Sequence, residues 1–317
     1  MSYAQFGTVQ ATDFNTLVGG NPTTTANTLN ATWATGGGTA GYGQTAVGNV
    51  TVGQTVAATS QWASLVTNTA NSATHQGSSI TAVSTPVAGG TITFLSAIPT
   101  NLQTIYTNRL NAASQGSTSA NTVTTAATWS SIATWTHTAT FANGDAARYF
   151  FNSGGQLKLT MSHPSGTGIN LLLNNLASNV GTVVMSAPSS GTITVTGTSY
   201  NGITKIGGGG NAPTISQNSG YYAMTTSNAN VFTQLASTGP SGYLSTFIRV
   251  IAKSNGTQGS NSDAGSAITI YTIWDEVPNG LTVASGSAVT LTAQAPETTN
   301  LANTWGTITL AGSVTVS

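Results

Sequence analysis

The spacing of apolar side chains changes period once along this 317-residue chain, and that change constrains the fold more than any other feature. Before it, Trp62, Leu65, Val66, Thr69 and Ala73 recur at helical spacing and predict a helix closing at His75-Gln76-Gly77. Leu102, Ile105, Tyr106, Leu110 and Ala113 predict a second helix, opened by Pro99 in its first turn and stopped by Gln115-Gly116. Shorter helical patches precede them. One carries Phe14, Leu17 and Val18, is capped by Thr12 or Asp13 and is stopped by a loop over 19–22; the other carries Leu29 and Trp33. After residue 128 the period is two, since Trp135, His137, Ala139 and Phe141 alternate with threonines. Further strands are predicted at 180–185, 192–196, 220–224, 231–235, 243–252, 267–275, 288–293 and 304–316, with Ile169, Leu172, Leu173 and Leu176 forming a helical interlude. The expected fold class is therefore α+β, mostly β. It has a helical, loop-rich docking domain over 1–116, an aperiodic Ser/Thr linker over 117–128 and an antiparallel β-sandwich-like domain over 129–317.

Residues 146–161, AARYFFNSGGQLKLTM, read as a β-hairpin turning at Ser153-Gly154-Gly155 and organising the strand domain. In that reading Arg148, Tyr149, Phe150 and Phe151 lie on a strand covered on both faces, with Phe150 and Phe151 pointing to opposite sides.

Charge bounds the function. Six acids and six bases make up 4% of the chain and sum to zero, where globular domains average about a quarter charged residues. Copies of such a chain have no long-range repulsion, and polar contact falls to Ser, Thr, Asn and Gln, which suits extensive subunit contact. The absence of a basic stripe argues against nucleic-acid binding, and no run of about 18 apolar residues predicts membrane insertion. With no cysteine there is neither disulfide nor thiolate metal site. The start MSYAQFGTVQ has no signal-peptide pattern, so synthesis in the cytoplasm is expected.

No catalytic, metal-ligating or cofactor-binding residue is expected. Asp275-Glu276 is the single adjacent acid pair, but strand neighbours point to opposite faces and a solvated strand end is the simpler reading. His75, His137 and His163 sit in different elements at no ligand spacing, and no G-x-S-x-G elbow occurs. Gly207–Gly210 lacks the G-K-[ST] of a phosphate loop and reads as a turn. The residues expected at assembly contacts are Tyr42, the one large anchor of the Gly36–Gln44 loop, Arg148 with Asp145 nearby, Tyr149, Phe150, Phe151, and Arg249 amid an apolar strand. Trp33, Tyr42, Tyr221 and Tyr222 are the aromatics available to stack on sugar rings.

Several patches carry a resemblance. ARYFFNSGG at 147–155, GTVVM at 181–185 and GYYAMTTSNANVFTQ at 220–234 resemble the C-terminal part of virion structural proteins of tailed phages, notably cyanophages and marine phages. GYGQ at 41–44, the V-x-x-G-x-x-V of 50–56 and the Trp-bearing helix ending in HQG at 75–77 resemble the N-terminal part of the same proteins. The resemblance implies a non-enzymatic component of the tail, baseplate, neck or a fibre. Its partners are copies of itself and other virion proteins, and its place is the virion. A capsid decoration protein is the alternative within that class. A surface- or carbohydrate-binding adhesin, with a host-surface glycan as partner, is the alternative outside it.

Overall fold

The structure, a computed structural model, describes residues 11–19, 27–51, 53–87, 92, 96–216, 220–258 and 264–317. The chain is α+β and mostly β, with antiparallel sheets and most helices in the N-terminal part. The helical part comprises α1 (Ala11–Val18), α2 (Leu29–Trp33), α3 (Ala63–Gln76) and α4 (Ala97–Thr107), with a π-helical turn at Ala58–Trp62 feeding α3. Its core gathers Phe14, Leu17, Leu29, Trp62, Leu65, Leu102 and Ile105 from the apolar stripes read from the spacing, and adds Ile98. α3 ends where expected, on Gly77 in the left-handed region at φ 69°. α4 stops at Thr107, short of the expected Gln115, and most of the expected loop at 19–22 lies outside the described residues.

The strand part runs β1 (Gln115–Thr124), β2 (Ile132–Thr140), α5 (Gly144–Asn152), β3 (Gln156–Ser162), α6 (Ile169–Val180), β4 (Thr182–Met185), β5 (Ile193–Val195), β6 (Thr198–Tyr200), β7 (Ile203–Ile206), β8 (Thr214–Ile215), β9 (Ala229–Leu235), β10 (Phe247–Ser254), β11 (Ala267–Asp275), β12 (Ala288–Pro296) and β13 (Thr309–Val316). One sheet has the order β1-β12-β3-β4-β7 and the other β13-β2-β11-β10-β9-β8, while β5 and β6 form a separate ribbon. The inner faces of both large sheets feed one core, with Leu157, Leu159, Val289 and Leu291 from the first and Trp135, Val250, Ile270 and Trp274 from the second. α6 packs against β3 of one sheet and against β9 and β10 of the other, so its Leu172, Leu173 and Leu176 fill the space between them. No described helix is long and apolar enough to cross a membrane.

Three expectations need correction. The stretch 117–128, expected as a linker, is strand through Thr124: β1 pairs with β12 in antiparallel register, Thr118 opposite Gln294 and Thr124 opposite Ala288. Its Ser/Thr composition suits an exposed edge strand, where β-branched residues are favoured and only one face needs apolar groups. Residues 220–224 form a 3₁₀ turn over Tyr221–Ala223 rather than a strand. The third correction concerns the hairpin. Its second arm is β3, but Arg148, Tyr149, Phe150 and Phe151 lie on helix α5, so the Phe150 and Phe151 side chains are not on opposite faces of a strand. Asn143 caps that helix, its Oδ1 accepting from Ala146 N at 2.8 Å, and Asp145 sits in the first turn where the helix dipole favours an anion.

Candidate functional site

α5 is buried on every side, which gives its residues two different environments. Toward the strands, Phe150 and Phe151 meet edge to face at 5.0 Å, Phe141 approaches Phe150 at 5.3 Å, and Tyr221 stacks on Phe151 at 4.3 Å. Toward the helical part, the same helix presents Arg148, Tyr149 and Asn152 to the loop at Gly36–Gln44. Arg148 is wholly buried; its Nη1 donates to Ala40 O at 2.8 Å and its Nη2 to Asp145 Oδ1 at 3.2 Å. Asn152 Nδ2 stands within 3.1–3.2 Å of the carbonyls of Gly38, Ala40 and Gly41. The Tyr222 hydroxyl lies 2.6 Å from both Gly38 O and Asn152 Oδ1 and shares its one proton between them. Gly43, at φ 72°, allows the Tyr149 ring to lie flat on the backbone; a Cβ there would come within 2.4 Å of the ring.

Tyr42 continues this seam. It is fully buried, its hydroxyl donates to Arg109 O at 2.8 Å and accepts from Gln76 Nε2 at 2.7 Å. Burial pushes the phenol pKa up, against the Gln76 hydrogen bond and the Arg109 charge. Arg109 in turn donates from Nε to Thr39 O and from Nη1 to Tyr106 O. The C-terminal segment closes the other side: Gln44 exchanges two hydrogen bonds with the Ala302 backbone, Thr304 Oγ1 donates to Tyr42 O, and Leu301 enters the helical core. His75 Nδ1 lies 3.0 Å from Glu297 Oε1. Burial alone would raise the Glu297 carboxyl, but hydrogen bonds from His75, Asn300 and Thr299 outweigh it and hold it at about 2.

Four of the six patches behind the phage resemblance therefore meet in space: GYGQ, HQG, ARYFFNSGG and the GYYAM turn all contribute to one seam. Five of the six residues expected at assembly contacts lie inside this chain: Tyr42, Arg148 and Tyr149 between its helical and strand parts, Phe150 and Phe151 in the core of the strand part. Asn152, Gln76 and Tyr222 are seam residues that sequence reasoning missed. The N-cap Asn143 with Asp145 in the first turn was the signal that would have placed Asn152 on a helix, one turn from Arg148. Arg249 stands apart, half-buried on the outward face of β10, its guanidinium 4.5 Å from the Phe247 ring centre.

The remaining polar groups are structural in their contacts. His163 bridges Ser287 Oγ at 2.8 Å and Asn170 Oδ1 at 3.0 Å, a Ser-His-Asn sequence of contacts; Ser287 is fully enclosed and Asn170 Oδ1 also accepts from Ala284 N. The group clasps β3, α6 and the approach to β12. Burial lowers the His163 pKa against its Asn170 hydrogen bond. His137 is a core-facing residue of β2, lowered likewise by burial. Glu276, expected at a solvated strand end, is instead buried, and its carboxylate accepts from Leu281 N at 2.9 Å. Among the described residues no three His, Asp or Glu side chains gather to hold a metal ion. Of the aromatics considered for sugar stacking, Tyr42 and Tyr221 are fully enclosed and Trp33 is 8% exposed. No protein-family model, curated protein or solved structure matches the chain.

Proposed function

We propose that this chain is a non-enzymatic structural component of a tailed-phage virion, in the tail, baseplate, neck or a fibre, working through self-assembly and docking to other virion proteins. One observation carries the reading. The edge strands β1 and β13, ten and eight residues long, pack against each other, yet both are largely exposed and contain no charged side chain or proline. Edges of that length are ordinarily protected by lysine, proline or a covering element, because their free backbone groups template pairing with another chain. A chain with zero net charge has no other general barrier to association. The seam supports the same reading: it fixes the helical part against the strand part through buried hydrogen bonds, as a rigid building block requires.

Sedimentation of the purified chain over a wide concentration range tests the proposal, together with density for the chain in intact particles. Concentration-dependent association that persists in high salt is expected. A monomer at every concentration, with no binding to another virion protein, overturns it and favours the adhesin reading.

A further inference from the structure

The outward face of the six-stranded sheet differs from the rest of the surface in its composition. Along β10 it carries Phe247, Arg249, Ile251 and Lys253, and along β11 Thr269, Tyr271, Ile273 and Asp275, every one half-buried. β2 adds Ile132 and Thr134, and β9 the exposed Leu235. Aromatic, isoleucine and arginine side chains on one face are the composition of interface cores. Two of the six cations of the chain stand here, both over rings: Arg249 on Phe247 at 4.5 Å and Lys253 beside Tyr271 at 5.8 Å. Arg249 Nε is enclosed and has no hydrogen-bond partner among the described residues, although the guanidinium interacts by charge with Asp275 of the same chain.

The charges on this face are arranged end to end. Phe247 pairs with Asp275 at one end of the β10–β11 ladder, and Lys253 pairs with Thr269 six residues along, about 20 Å away. A two-fold axis lying in the face and crossing the strands between the Arg249 and Ile251 rows exchanges those ends. Asp275 of one copy then lies over the Lys253 end of the other, and the reverse, while the middle rows meet each other, Arg249 of one copy over the Ile251 row of the other. The remaining described carboxylates suit this contact less well: Asp13 lies on α1 in the helical part, Asp145 is held by Arg148, and Glu276 and Glu297 are buried. Four strands about 4.8 Å apart and about 27 Å long present about 520 Å² per copy, or about 1,000 Å² in total, the lower bound for a specific interface.

We infer that this face, centred on Arg249, Ile251, Tyr271 and Ile273, is where a second copy of the chain docks in a two-fold, face-to-face contact with Lys253–Asp275 ion pairs at its two ends. The inference rests on the self-association proposed above. The uncharged edges β1 and β13, which pack against each other, lie outside it.

Charge reversal tests it in the full chain by sedimentation. Asp275→Lys and Lys253→Asp should each weaken dimerisation about 10-fold, since each sets two like-charge pairs across the axis, and the double reversal should return it to within about 3-fold of the parent. As a second measurement, Ile251→Cys in this cysteine-free chain should be captured as a covalent dimer by a short bismaleimide, whereas Thr122→Cys on β1 should not. Association insensitive to both reversals, or cross-linking from Thr122→Cys and not from Ile251→Cys, overturns this face while leaving self-association standing. Sensitivity of each single reversal without recovery in the double assigns the face to a different protein and overturns the two-fold contact. A parent chain that never dimerises overturns the inference and the self-association together.

Discussion

The strand core and the polar seam meet on opposite sides of α5, and they are held by different forces. On the strand side the contacts are apolar: Phe150 and Phe151 sit among Phe141, Tyr221 and the inner faces of two sheets, and the stabilisation comes from area removed from water. On the seam side the contacts are directional. Arg148, Asn152 and Tyr222 satisfy the carbonyls of a loop whose amides bond back to the end of α2, so each lost donor costs an enclosed acceptor one of its hydrogen bonds. The difference teaches that one helix can serve as a core element and as a clamp for a distant loop, because its 3.6 period separates the two sets of side chains.

Breaking the apolar side should have the largest effect. Phe150→Ala and Phe151→Ala should each cost about 3–5 kcal/mol in denaturant unfolding, as both rings are fully enclosed and neither site can collapse easily. A cost below about 1 kcal/mol for either would show that only one ring belongs to the core. On the seam side, Arg148→Ala should cost about 2–4 kcal/mol, and Arg148→Lys should recover less than half of it, since one ammonium cannot reach Ala40 O and Asp145 together in the geometry of a guanidinium fork. Full recovery by lysine would reduce the contact to charge alone.

Acid should separate the two regions. The Glu297 carboxyl is held at about 2 in the folded chain against about 4.5 unfolded, so its stabilisation is complete above pH 4.5 and is lost as pH falls toward 2. The loss is on the order of 3 kcal/mol, read from unfolding across that window. Glu297→Gln should flatten that part of the profile while leaving the acid response of His163, whose pKa is lowered and which therefore destabilises as pH drops below its unfolded value near 6.5. Gly43→Ala should cost about 1–3 kcal/mol, because its left-handed backbone and the Tyr149 ring both exclude a Cβ. The smallest effect belongs to the exposed Thr122–Thr290 hydroxyl pair across β1 and β12, where Thr122→Ala should stay within about 0.5 kcal/mol.

Periodicity by itself determined α3 with its Gly77 stop, β2 with Trp135 and His137 inward, β11 from 267 to 275, and the helical interlude at Ile169 that became α6. In each, one face is buried and one is wet, so the pattern of apolar residues repeats the geometry of the element. α5 defeated that reasoning because it is buried all round: with no wet face there is no alternation to read, and the adjacent aromatics favoured a strand by propensity. Residues 117–124 failed in the opposite sense, since an edge strand exposed on most sides shows too few apolar residues to announce itself. The seam was decided only by the tertiary structure. Arg148 and Ala40 are 108 residues apart, and a hydrogen bond to a loop carbonyl leaves no period in either segment, so only the folding of the helical part against the sheets brings donor and acceptor together.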